Sequence, residues 1–286
     1  FVIKDPVKMP QQVSQIAFES DRSGSKEIYL MSANDIDRLN AGDVLGPDGN
    51  GDNLVKITND TNNSQPIFSP DLSKVLVVKG GDEIYSMLPD GTSKVALTGN
   101  IGFDNIFPTW TNDNSKIFFV SNRGFNNYQL YWMFANGTIQ TRITTESFDD
   151  SWPDVSPDGS KVVLERKLSV SNSDIFKMNS DGTGQINLTN TSSINEKHPV
   201  WSIDGTKILY ESNGDIYVMS STGTNITQLT NTTNNSAPSW STVGNKIVFV
   251  STRDGNKEIY LMNSDGTNQT RMTNSTSQDD NPTWVN

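Results

Sequence analysis

The sequence has no cysteine and a single histidine, His198, among 286 residues. Without thiols there are no disulfides, no thiolate metal sites and no cysteine nucleophile, and one imidazole does not make a His-rich metal centre. Positive charge is scarce as well: 22 Lys and Arg stand against 33 Asp and Glu, a net charge of −11. A polyanion is repelled by phosphate backbones, so nucleic acid is excluded as an expected partner. No apolar run approaches the roughly 20 residues of a membrane span, so no transmembrane segment is expected. Hydrophobic residues make up only 33% of the chain, which is thin for one large core. The sequence opens at Phe1 without an initiator Met or a signal peptide, as expected of a processed or excised segment.

What is present is a repeat. Pro66-Ile-Phe-Ser-Pro-Asp, Pro108-Thr-Trp-Thr-Asn-Asp, Pro153-Asp-Val-Ser-Pro-Asp, Pro199-Val-Trp-Ser-Ile-Asp and Pro238-Ser-Trp-Ser align, and Pro282-Thr-Trp opens a sixth copy. The prolines are 42, 45, 46, 39 and 44 residues apart, the length of a propeller blade. Each copy continues with a polar turn, an apolar run after a Lys such as Lys116-Ile-Phe-Phe-Val-Ser, and a second run such as Glu258-Ile-Tyr-Leu-Met. An Asp-Gly turn and a short segment ending in Thr98, Thr189, Thr230 or Thr273 complete the unit. Period-two alternation, β-branched and aromatic residues, and Asp-Gly turns specify antiparallel strands. Four short strands cannot cover both their faces alone, but stacking the sheets radially does so.

The ends complement each other. Pro282–Val285 supplies a first strand with nothing after it, while 16–20, 27–31 and 55–58 supply the remaining three. The expected fold is all-β: a six-bladed β-propeller of four-stranded antiparallel blades, closed by a blade shared between the N- and C-termini. It occupies 1–286 as a single domain, with a lead-in at 1–14 and blades near 66–98, 108–144, 153–189, 199–230, 238–273 and 282–286 plus 15–58.

The run Pro-x-Trp-Ser-x-Asp-Gly-x-Lys-Ile-x-Phe-x-Ser-x-Arg-x-Gly, followed by Ile-Tyr-x-Met, Asp-Gly and Leu-Thr, resembles the TolB-type propeller repeat. Its fullest copies lie at 153–189, 199–230 and 238–273, and the resemblance covers about 15–286. That family includes periplasmic scaffolds, microbial cell-surface proteins and the propeller domains of some peptidases. The sequence has no counterpart of TolB's N-terminal α/β domain and no Gly-x-Ser-x-Gly elbow. The resemblance implies that the loops entering the innermost strands and those between strands two and three share one face, and that ligands approach this face or the central channel.

A polar cluster precedes each Pro: Asn62-Asn63, Asp104, Asp149-Asp150, Asn195-Glu196, Asn234-Asn235 and Asp279-Asp280. Repeated around the ring, Asp104, Asp149, Asp150, Asp279 and Asp280 are candidate oxygen ligands for Ca²⁺ at the channel mouth. The other reading is that they bond local backbone N–H groups and launch the strand. Asp48, Asn50 and Asp52 have calcium-loop spacing, although Asn53 and Asn59 replace the Gly and Glu of that motif. The residue just before each Pro breaks the symmetry, and three successive copies offer Phe107, Trp152 and His198. With Phe125 and Tyr128 in loops of the same face, these are candidate ligand-binding residues; alternatively they shield the blade tops. Arg22, Arg123 and Arg253 each follow a Ser by two residues, either to clamp an acidic partner or to brace neighbouring blades. Asn-x-Ser/Thr sequons such as Asn59, Asn190, Asn231 and Asn274 permit glycosylation on the outside of a secreted protein.

The expected function is a non-enzymatic binding or scaffold module of the cell surface or periplasm, a monomer binding a protein, peptide or glycan at the loop face. The competing reading is a polysaccharide lyase- or hydrolase-like propeller that uses loop carboxylates for acid–base chemistry.

Overall fold

The apolar run after each Lys forms the second strand of a blade, and both of its faces are buried. In Lys116–Ser121, every residue from Ile117 onward is buried, because a neighbouring blade covers each side of the sheet. The computed structural model describes residues 14–33, 54–99, 102–124 and 127–285, which form twenty-four strands in six four-stranded antiparallel sheets.

Blade 1 joins β24 (Asp279–Val285) to β1 (Gln15–Ser20), β2 (Glu27–Ser32) and β3 (Val55–Lys56). Blade 2 is β4 (Asn63–Phe68), β5 (Val75–Lys79), β6 (Glu83–Met87) and β7 (Val95–Ala96). Blade 3 is β8 (Asn105–Trp110), β9 (Lys116–Ser121), β10 (Gln129–Phe134) and β11 (Thr141–Arg142). Blade 4 is β12 (Asp149–Val155), β13 (Lys161–Ser169), β14 (Asn172–Asn179) and β15 (Ile186–Asn187). Blade 5 is β16 (Glu196–Trp201), β17 (Lys207–Ser212), β18 (Asp215–Ser220) and β19 (Thr227–Gln228). Blade 6 is β20 (Asn235–Trp240), β21 (Lys246–Ser251), β22 (Glu258–Asn263) and β23 (Thr270–Arg271).

The first strands β24, β4, β8, β12, β16 and β20 touch one another in turn and close the ring around a central channel. The core is divided between the blades. One cluster packs Phe18 and Tyr29 of blade 1 on Val248 and Leu261 of blade 6; another packs Leu76 and Val78 of blade 2 on Phe119 and Met133 of blade 3. Burying each such side chain contributes roughly 1.5–3 kcal/mol, so six thin interfaces do the work of one thick core. The outermost strands are only two residues long, which limits the exposed edge.

The first strands begin three or four residues before their Pro, earlier than the sequence places them. Asn63 and Ser64 already pair with Lys79 and Val78, and the register then slips before Ile67 meets Leu76. Proline has no N–H to give the ladder, so Gln65-Pro66 is extruded as a bulge. The same slip accompanies Phe107-Pro108, Trp152-Pro153, His198-Pro199 and Ala237-Pro238.

Candidate functional site

Each bulge turns one side chain toward the channel. Gln65, Phe107, Trp152, His198, Ala237 and Asn281 all have left-handed backbone, with φ between 47° and 55°. This conformation is costly for bulky residues, and its recurrence in every blade shows that the architecture imposes it. What differs from blade to blade is the side chain. The six residues and their prolines surround a void of about 140 Å³.

Blades 3, 4 and 5 fill their share of the wall with rings. The Phe107 and Trp152 centroids are 4.0 Å apart at 31°, and those of Trp152 and His198 are 4.0 Å apart at 56°. The His198 Nδ1 lies 3.0 Å from Glu211 Oε2, which fixes the imidazole at the end of the stack. On the other side, the Phe107 N–H donates to Gln65 Oε1 (2.7 Å), and the Gln65 N–H donates to buried Glu19 (3.0 Å). A six-fold scaffold thus presents a one-sided aromatic arc.

Residues 50–214, more than half of the sequence, match the family model of the TolB beta propeller domain. The chain belongs to the TolB β-propeller family. Among solved structures, TolB from Acinetobacter baumannii is similar at 18% identity and a TM-score of 0.78, over 95% of this chain and 66% of its own. An oligogalacturonate lyase from Vibrio parahaemolyticus is 13% identical, with a TM-score of 0.62 over 92% of this chain and 75% of the lyase. A chain of a nidogen/laminin complex is 9% identical, with a TM-score of 0.73 over 95% of this chain and 98% of its own. At these identities the likeness is one of fold, and the chain spans about two thirds of the A. baumannii TolB (66%). No curated protein matches the sequence.

Deeper in the channel of this TolB-type propeller, the tier below the arc consists of Ile67, Thr109, Asp154, Val200, Ser239 and Thr283. Asp154 is its only charged member. Its Oδ2 accepts the Trp201 N–H of blade 5 at 2.7 Å, and its Oδ1 accepts the Thr109 hydroxyl of blade 3 at 3.3 Å. Removal from water outweighs these bonds and raises its pKa to about 6. Nearby Glu165 is also raised, chiefly by burial, with His198 and Lys197 opposing. Sequence reading missed Asp154, Glu165 and Glu211. For the two Glu the signal lay in comparing copies: strand two has Val78, Val120 and Val250 where the other blades have Glu19, Glu165 and Glu211.

The predicted oxygen ring is not assembled. Asp150 and Asp279 are buried inside their blades. Arg166 donates to both oxygens of Asp150 (2.7 and 3.0 Å), and Arg22 to both of Asp279 (2.8 and 2.7 Å). Asp280 pairs with Lys257. Asp104 accepts the Tyr128 hydroxyl, and Asp149 accepts the Tyr128 N–H at 2.9 Å. Among the described residues, no three His, Asp or Glu side chains are grouped to hold a metal. Tyr128 therefore bridges two top-face loops and is not among the channel-lining residues. Its hydroxyl is pushed up to about 12, mainly by the bond to Asp104. Phe125, Asp48, Asn50 and Asp52 lie outside the described residues.

The arginines brace blades from within. Arg123 Nε donates to Ser121 Oγ (3.0 Å), Nη2 to Asn105 Oδ1 and Nη1 to Gln140 Oε1, while the guanidinium lies 5.1 Å over Tyr131. Arg253 repeats this with Ser251, Asn235 and Tyr260. Both guanidinium groups are engaged within their own blades, and the braces tie strands of one blade together.

Proposed function

We propose that the chain is a non-enzymatic binding module of the cell surface or periplasm that takes a segment of a protein partner at the channel mouth. The observation that carries this reading is the continuous Phe107–Trp152–His198 arc, contributed by three blades whose repeat does not require aromatics there. The void of about 140 Å³ is small, suited to one inserted side chain rather than a chain of sugar rings. Aromatic rings next to Asp154, Glu165 and Glu211 favour an apolar or cationic side chain. Membership in the TolB propeller family, and the likeness to a TolB, support a binding or scaffold role.

The test is a linear-peptide display library selected on the wild-type chain and counter-screened on Trp152→Ala. Selected peptides are expected to bind wild type and to lose at least about tenfold on Trp152→Ala, a loss on the scale of one buried aromatic contact, while the melting temperature is unchanged. Failure to enrich any peptide, or equal binding by the variant, overturns the reading. A lyase-like reading draws on the shared fold with oligogalacturonate lyase; turnover of oligogalacturonate by the wild-type chain would reverse the order of the two. Ca²⁺ at Asp48, Asn50 and Asp52 is a separate proposal, tested by a rise in melting temperature on adding Ca²⁺ that EDTA reverses.

A further inference from the structure

We propose that the face opposite the channel mouth carries a second binding site, a groove between blades 3 and 4 that takes a neutral oligosaccharide. The groove encloses about 470 Å³, within the range of small-ligand sites. It is formed where β8 and β10 end and where the turns of blade 4 at Asp158 and Asp181 begin, so strand polarity puts it at the far end of the ring from the loops beside the arc.

Two departures from the other blades mark it, Trp132 in its lining and Phe134 packed against Trp132. Trp132 occupies a position where the other blades have Leu30, Ser86, Lys177, Val218 and Leu261, and Phe134 stands where blades 4 and 6 have Asn179 and Asn263. In those blades the Asn accepts the first Lys of strand two: Lys161 bonds Asn179, and Lys246 bonds Asn263 at 2.7 Å. Blade 3 has no Asn there, and Lys116 Nζ stands 4.4 Å over the Trp132 ring. Phe134, 40% exposed, meets Trp132 edge to face with centroids 5.3 Å apart. The fold does not need this ledge.

The rim supplies matching polar groups. Asp113 Oδ1 is held by Thr111 and Ser115, and Asp181 Oδ1 by Thr183, leaving the second oxygen of each with no hydrogen bond from the described residues. These turn bonds keep both carboxyls ionised, Asp113 down to about 2. Fixed acceptors, the Lys116 ammonium as donor and an indole flank are what vicinal hydroxyls and the C–H face of a pyranose require. With Asp158 as a third carboxylate on the rim, uronate or sulfated glycans are repelled.

The experiment titrates the whole chain with cellotetraose, mannotetraose, β-1,4-galactotetraose and tetragalacturonate, read by tryptophan fluorescence and calorimetry. Trp132→Leu and Phe134→Asn install residues that other blades already carry, so an unchanged melting curve certifies the fold. At least one neutral tetrasaccharide is expected to bind saturably, about tenfold or more weakly to Trp132→Leu, and equally to wild type and Trp152→Ala, which separates this groove from the channel. Absence of neutral-glycan binding, binding unaffected by Trp132→Leu, or preference for tetragalacturonate overturns the proposal. So does a tetralysine peptide that binds more tightly than any glycan and is lost in Trp132→Leu.

Discussion

Asp154 is gripped from two blades at once, and its chemistry has a pH signature. Its folded pKa of about 6 lies above the ordinary carboxylate value of about 3.9. A raised carboxyl favours the fold while protonated, so its contribution is fully present below about pH 4 and is lost as pH rises through about 6. Asparagine keeps an acceptor for the Trp201 N–H and removes the half-buried charge. Relative to wild type, Asp154→Asn is therefore expected to gain stability as pH rises from 4 to 7, by about 2–3 kcal/mol in total, measured as the pH dependence of the difference in denaturation midpoints. A pH-independent difference would contradict this. Phe107, Trp152 and His198 could be picked out from the sequence because they break a visible pattern. Asp154 follows a Pro like any other strand residue, and only its placement between two neighbouring first strands takes it from water.

At the scale of the element, the turns carry two kinds of constraint. Gly91 and Gly159 both sit in Asp-Gly turns with φ of +82° and +71°. A Cβ on Gly159 would meet nothing within 4 Å, whereas one on Gly91 would lie 1.7 Å from the Ile57 carbonyl oxygen of blade 1. Gly159→Ala is expected to cost about 1 kcal/mol from backbone strain alone. Gly91→Ala is expected to cost more than about 3 kcal/mol, because the neighbouring blade must move; urea denaturation of the two variants measures the gap, and equal losses would show the approach of the blades to be unimportant. Dipeptide chemistry announces both turns equally, and only the position of the next blade separates them. The bulges are similar: X-Pro reads as a strand start, while the ladder begins three or four residues earlier and steps around it.

The whole molecule depends on β24. It pairs with β1 from Gln15↔Val285 to Ser20↔Asp279, and Arg22 closes the same seam on Asp279. Removing that carboxylate leaves a largely buried guanidinium unpaired, so Asp279→Ala is expected to cost about 3–5 kcal/mol. Asp279→Asn reproduces the Asn105–Arg123 and Asn235–Arg253 arrangements and is expected to cost less than about 1.5 kcal/mol. Chemical denaturation of both checks the ranking, and similar losses would mean that the charge, rather than the acceptor, holds the seam. Some of the acidic residues have this kind of role: Glu27, Asp215 and Glu258 are buried at the start of third strands, where they accept from Thr58, Thr230 and Thr273 of the loops that return to the channel.

The sequence by itself determined the repeat, the strands, the six blades and the shared closing blade, because each depends on local alternation, turn residues and a period of about forty residues. Only the tertiary structure decided which polar residues face the channel and which are sealed within a blade. Asp149 and Asp150 are adjacent in sequence, yet one bonds a surface loop while the other is buried against Arg166. The aromatic arc, the tier holding Asp154 beneath it and the groove between blades 3 and 4 join residues about forty-five positions apart. Bulge direction and blade spacing set those contacts, and neither is encoded within a single repeat.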